Sequence, residues 1–136
     1  MNLNSKINEI KETFDFFEDP MDKYIQIIEM GKKNNGISEN IKNDEYRIFG
    51  CTSMAWVKVE KNEEKYYINT DSDTFIVKGL LSILKTLIDG STIDEINSLD
   101  AESIFIDIGL KDSITSQRTN GFMNALKTIQ KQINGK

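Results

Sequence analysis

The chain has 136 residues, room for the core of one domain spanning 1–136 but not for two. Its net charge of −5 at pH 7 argues against the basic surface that nucleic acid or an anionic membrane would need, and favours a basic docking patch on a partner. Histidine is absent and cysteine occurs once, at Cys51, which removes Ser–His–Asp and Cys–His catalysis, Cys/His zinc sites, His-ligated haem and any internal disulfide.

In chain order, residues 5–17 carry Ile7, Ile10, Phe14 and Phe17 at helical spacing, which predicts an amphipathic helix. Asp19-Pro20 then reads as a cap followed by a proline at the first helical position. The second helix runs to about Lys33, with Tyr24, Ile25 and Ile28 facing inward and Ile27 a further candidate. Gly31 and Asn34-Asn35-Gly36 terminate it, and residues 36–45 read as loop. Two strands follow, Arg47–Gly50 and Ser53–Glu60, joined by a tight Gly50-Cys51 turn. Lys65–Asn69, rich in β-formers, is the third strand of an antiparallel meander.

Asp71-Ser72-Asp73-Thr74 supplies oxygen-bearing side chains suited to opening a helix. The stripe Ile76, Leu80, Ile83, Leu84 and Leu87 extends that helix to Asp89-Gly90. Gly79 inside it costs about 1 kcal/mol relative to alanine, which implies a close approach by a neighbouring element. Thr92–Asn97 and Ala101–Ile108 read as short helices, and a last helix from Thr115 or Ser116 presents Phe122, Ala125, Leu126, Ile129 and Ile133. Helices, then strands, then helices give an α+β class: a small three-stranded antiparallel sheet with helices on one face. No phosphate-cradling glycine motif occurs, no stretch approaches the ~20 apolar residues of a membrane span, and residues 1–6 lack a signal-like apolar core. With one unpaired cysteine, this predicts a cytoplasmic location.

Cys51 follows a glycine and precedes two hydroxyl residues at the tip of a turn, a place where another protein can reach a thiol. From the residues alone it is either an inert small side chain or one that reacts with a sulfur belonging to a partner. Gly50 suits a positive φ at the turn, and Ser53 either bonds the loop backbone or is solvated. Arg118 reads as a solvated helix-start arginine or a surface partner of Asp112, and Asp73 as a helix cap able to anchor the loop through a backbone amide.

Three segments carry a family likeness. They are Gly50-Cys51-Thr52-Ser53-Met54-Ala55-Trp56, the run Ser72-Asp73-Thr74-Phe75-Ile76-Val77-Lys78-Gly79-Leu80-Leu81, and Gly109-Leu110 with Thr115-Ser116-Gln117-Arg118-Thr119-Asn120-Gly121. Together and in this order they resemble the SufE family of sulfur-acceptor proteins, which includes the CsdE branch. Lys78 stands where that family usually has arginine, and Thr52 where glutamine is common.

The resemblance implies a SufE/IscU-like fold and a persulfide-accepting role for Cys51. Arg118 stabilises the thiolate or persulfide, with Gly50, Ser53 and Asp73 as the supporting loop. It implies no cofactor of the chain's own, because PLP belongs to the partner, a cysteine desulfurase of SufS/CsdA type. Sulfur passes to an iron–sulfur scaffold complex of SufBCD type, and the chain raises desulfurase turnover without being a stand-alone enzyme. A persulfide is easily lost to solvent thiols, so the Cys51 loop is expected to rest partly buried and swing outward on docking. The expected state is a monomer or weak dimer, binding neither nucleic acid nor membrane. Two other readings remain: an interaction module of the same fold with Cys51 incidental, and a single-cysteine redox sensor.

Overall fold

The computed structural model describes residues 2–50 and 53–135. Helices α1 (Leu3–Asp15) and α2 (Pro20–Lys33) lead through a 3-10 turn at Glu39–Ile41 to strands β1 (Ala55–Asn62) and β2 (Lys65–Ser72). Helices α3 (Phe75–Ile88), α4 (Ile93–Asn97), α5 (Ala101–Asp107) and α6 (Ser116–Ile133) complete the order. The strands form one antiparallel hairpin in the register Ala55↔Ser72 through Asn62↔Lys65. Tyr66, Ile68 and Thr70 of β2 turn toward the helices while Lys65, Tyr67 and Asn69 face out, the period of two expected of a half-covered strand.

Helix α3 is the central element. It buries Ile76, Val77, Leu80, Leu81, Ile83, Leu84, Leu87 and Ile88, more than one face of the helix, and is in contact with α1, α2, α6 and β2. A helix apolar around most of its circumference is one that neighbours cover on several sides. The closest crossing is with α2. A Cβ at Gly79 would overlap the Ile27 carbonyl oxygen, and one at Gly31 the Phe75 carbonyl oxygen. The helical glycine thus permits the backbone approach that the sequence implies.

The crossing also decides which face of α2 is inward. Ile27 is fully buried and Gly31 is buried, whereas Ile25 is 48% exposed; the expectation that Ile25 faces the core is corrected. Met21 and Ile25 lie on the outer face, while Tyr24 and Ile28 pack partly buried against the core as expected, because the glycine at 31 and the residue one turn before it must meet α3.

The expected third strand, Arg47–Gly50, is absent. Arg47 makes a single bridge to Trp56, with Ile48 N–H donating to Ala55 O (2.8 Å) and Val57 N–H to Tyr46 O (2.8 Å). Turns at 44–46 and 49–50 bound this bridge, and Gly50 has φ +89°, so no ladder can propagate. Strand β1 likewise opens at Ala55 rather than Ser53. The Met54 carbonyl that would precede it accepts from the Ser72 hydroxyl (2.7 Å) and the Asp73 N–H (3.1 Å).

Caps finish most helices as their residues suggest. Asp19 accepts from Met21 N–H, Asp100 from Ser103 N–H and Thr115 from Arg118 N–H, while Thr92 and Glu95 form a reciprocal capping box. One buried cation was not legible in the sequence. Lys6, on the inner face of α1, donates to Leu87 O (3.3 Å), Asp89 O (2.7 Å) and Ser91 Oγ (3.3 Å), closing the C-terminus of α3. There its charge also meets the negative end of the helix dipole. No helix among the described residues is long and apolar enough to cross a membrane.

Candidate functional site

Cys51 and Thr52 lie outside the described residues, so the site is built from the residues that flank them in sequence. On the N-terminal side, Gly50 O accepts a hydrogen bond from Asn124 Nδ2 of α6 (3.2 Å). The positive φ of Gly50 suits glycine, and a Cβ there would also overlap Asn124 Nδ2. On the C-terminal side, Ser53 Oγ accepts from Arg118 Nη1, also on α6 (3.2 Å), and pairs with Thr74 Oγ1 (3.1 Å). Arg118 is thereby brought to a residue two positions from Cys51, and no Arg118–Asp112 pair forms among the described residues.

Asp73 does not cap α3. Thr74 is the N-cap residue, its side chain makes no cap hydrogen bond, and the Asp73 side chain is exposed. The physical reason is that the Thr74 hydroxyl, the group placed to cap, is turned to Ser53. Asp73 does reach the segment through a backbone amide, which donates to Met54 O. Of the sequence-proposed residues, Gly50, Ser53, Asp73 and Arg118 therefore converge on the same stretch of chain. Asn124, Ser72 and Thr74 join them without having been singled out as members of the site.

Beneath Arg118 lies a small cavity of about 20 Å³ between α3 and α6. Val77, Leu80, Leu81 and Phe122 make its apolar wall, and Gly121 and Arg118 also line it. It has room for about one water-sized group. Around the same corner the surface is aromatic and cationic. Phe49 is 58% exposed with the Arg47 guanidinium carbon 5.0 Å from its ring centre, and Phe75 is 51% exposed with Lys32 and Lys78 Nζ each 6.0 Å away. Arg47 Nε is buried with no hydrogen-bond partner among the described residues; stacking on Phe49 offsets part of that cost.

A buried carboxylate anchors the start of this corner. Asp71 is 5% exposed and accepts from Ile37 N–H (3.1 Å) and Ser72 N–H (2.8 Å). Lys42 and Lys78 lie 3.0 and 3.4 Å from its oxygens. Burial pushes the Asp71 carboxyl up, but the bonds from Ile37, Lys42 and Ser72 with the charge of Lys78 outweigh it and hold the group below the ordinary carboxylate range. Hydrogen bonds to Glu39 and Asp71 hold the Lys42 ammonium above its ordinary value. Lys78 thus spends its charge on Asp71 as a single-point contact, geometry that a compact ammonium meets without the planar fork of arginine. Nothing in the sequence pairs Lys42 with Asp71, because 29 residues of chain separate them.

The family model described as "SufE: Fe-S metabolism associated domain" matches residues 8–133. An uncharacterized SufE-like protein of Rhizobium etli is 32% identical over 132 residues, covering 94% of this chain and 89% of that protein. An uncharacterized SufE-like protein of Rhizobium meliloti is 29% identical, with 97% of each chain covered. The Arabidopsis thaliana protein named SufE-like protein 1, chloroplastic/mitochondrial, is 31% identical over 96% of this chain, which spans 35% of that longer protein. The solution structure of a hypothetical protein from Thermus thermophilus shares the fold with a TM-score of 0.77 at 17% identity, covering 96% of this chain and 94% of the other. The chain belongs to the SufE family, a family associated with iron–sulfur metabolism.

Proposed function

We propose that the chain is a sulfur acceptor and carrier, a single cytoplasmic domain that works on Cys51 and is no stand-alone enzyme. The Cys51 thiolate attacks the outer sulfur of a persulfide held by a PLP-dependent cysteine desulfurase of SufS/CsdA type. A new S–S bond forms to Cys51 as the partner's S–S bond breaks, and the electron pair leaves on the partner's cysteine, which is then protonated. No oxidant or reductant is consumed. The Cys51 persulfide then gives its outer sulfur to an iron–sulfur scaffold of SufBCD type by the same exchange, and removal of sulfur raises desulfurase turnover.

The observation that carries this reading is the Arg118–Ser53 bond, which sets a guanidinium two residues from the chain's one thiol. A fixed positive charge there favours the thiolate, the nucleophilic form. Gly50, Ser53 and Asp73 support the segment through α6 and β1. Exposed Phe49, Met54 and Phe75 suit docking, on which the Cys51 loop moves outward from a partly buried resting position. The protein needs no cofactor of its own and acts as a monomer or weak dimer.

The test is intact-mass measurement after incubation with a cysteine desulfurase and L-cysteine. The wild type gains about 32 Da, one sulfur atom, and Cys51→Ser gains nothing. A working desulfurase that leaves the wild-type mass unchanged overturns the proposal. Equal desulfurase activation by wild type and Cys51→Ser would instead favour the interaction-module reading.

A further inference from the structure

We infer that the groove between α5 and α6 docks a basic, amphipathic helical segment of another protein. The groove measures about 340 Å³, and its apolar wall comes from Phe105 and Ile106 of α5, Ile114 of the turn that follows, and Met123 of α6. The floor is built before any partner arrives: the Phe105 and Phe122 rings are buried, with centroids 4.4 Å apart. Ile106 is 53% exposed, an apolar side chain that the fold leaves in water. On α6, Ser116, Thr119 and Met123 line the groove, and their spacing of three and four sets them on one face of the helix. Arg118 lies on the other side of α6, against the cavity shared with α3, so the groove is a second surface, separate from the Arg118–Ser53 contact.

Charge decides what fits. Residues 94–112 hold six carboxylates and one lysine, so this segment carries the whole net charge of −5 and the rest of the chain is balanced. Glu95 and Asp100 are spent on helix caps. Glu102 lines the groove, and Asp107 and Asp112 directly follow Ile106 and Lys111 of its lining. All three carboxylates are exposed, and none has an ion-pair partner among the described residues. An apolar groove with such a rim repels nucleic acid, anionic lipid and a second copy approaching by the same face. It attracts a helix whose apolar side fills the groove and whose lysines or arginines meet the rim. Lys111 is the one cation in the lining and works against that segment, which gives the test a variant of opposite sign.

The inference goes beyond the carrier reading and makes no use of Cys51. The probe is a fluorescein-labelled helical peptide of leucine and lysine, with its leucines at helical spacing, titrated with the full chain at low salt and followed by anisotropy. The wild type binds it and does not bind the counterpart with glutamate in place of lysine. Glu102→Lys weakens binding about threefold to tenfold as an attraction becomes a repulsion, and Lys111→Glu strengthens it by a similar factor. Ile106→Ser weakens it about fivefold through lost apolar contact alone. Because Ile106 is half-exposed in the free protein, the urea curve of this variant stays close to that of the wild type. Glu64→Lys makes the same charge change at an exposed position on the β1–β2 turn and leaves binding unchanged.

Equal weakening by Glu64→Lys and Glu102→Lys means that the peptide follows net charge and not the groove, and overturns the inference. A folded Ile106→Ser that binds like the wild type overturns it too. So does a dimer in sedimentation that Ile106→Ser dissociates, because a second copy then fills the groove. Cys51→Ser binds the peptide as the wild type does, so these results stand or fall apart from the sulfur-transfer mass test.

Discussion

At the C-terminal end of α3 the Lys6 ammonium donates to the Leu87 and Asp89 carbonyls, Lys85 bonds Ile68 O and the Asp89 carboxylate, and Asp89 in turn accepts from Ile68 N–H. At the N-terminal end, Thr74 makes no cap bond and gives its hydroxyl to Ser53. One helix thus has a closed end, where polar groups terminate it, and an open end, where the same kind of group holds the chain beside Cys51. Helix termini leave several backbone groups without intrahelical partners, so a cap is the usual use of such a side chain. The difference teaches where stability was given up: among the described residues, the Thr74 side chain caps none of the first-turn amides of α3, whereas the other end carries several side-chain bonds.

The largest expected effect breaks the closed end. Lys6→Met keeps the apolar stem and removes three hydrogen bonds from a charged donor, one of them to the partly buried Asp89 carbonyl, while Leu87 O keeps its bond from Ser91 Oγ. Urea denaturation should show a loss of about 2–3 kcal/mol. A loss below about 0.5 kcal/mol would mean that the closure is decorative and the contrast between the ends is empty.

Next in size is Asp71→Asn, which removes the carboxylate that ties Lys78 of the open end to Lys42 and the 36–42 loop. It should cost about 1–3 kcal/mol at pH 7, as hydrogen bonds to charged groups are lost. The pH dependence has a definite sign. The folded carboxyl lies below its ordinary value of 3.8, so its stabilisation is fully present above that value and is lost as pH falls through the folded one. Acid titration of the wild type therefore loses stability below about pH 4, and the Asn variant loses less over the same range.

The smallest effect sharpens the contrast. Thr74→Ala should cost about 0.5 kcal/mol, because it loses only the partly buried bond to Ser53 and no cap bond, whereas Thr92→Ala in the capping box of α4 should cost about 1 kcal/mol. Parallel urea curves for the two variants decide it; equal losses would remove the contrast between the two helix starts.

Much of this architecture was readable in the chain. The apolar stripes of α3 and α6 recur at helical spacing, and Asp19-Pro20 and Thr115 mark helix starts, because those signals are local and periodic. The family was readable through its motifs, and two of their residues, Ser53 and Arg118, are bonded in the fold. What escaped was set by contacts far apart in sequence. Ile25 and Ile27 are equally apolar, and only the Gly31–Gly79 crossing decides that Ile27 is the buried one. Arg47–Gly50 has strand-like residues, but bounding turns reduce it to one bridge. Asp71 reads as part of a helix opening but closes β2, and Lys6 and Asn124 carry no signal at all, since a polar side chain has no period that betrays a distant partner.

The hairpin without a third full strand has one more consequence. A two-stranded ribbon has two free borders, each a row of amides and carbonyls ready to recruit another chain. Here the single bridge at Arg47 blocks the Trp56 end of one border and the Ser91 bridge blocks the Tyr66 end of the other. Lys58, Glu60 and Lys61 place charges along the rest of β1. Fibril-like stacking through this ribbon is therefore guarded against at both margins by two isolated contacts and a few charges, without any additional β-structure.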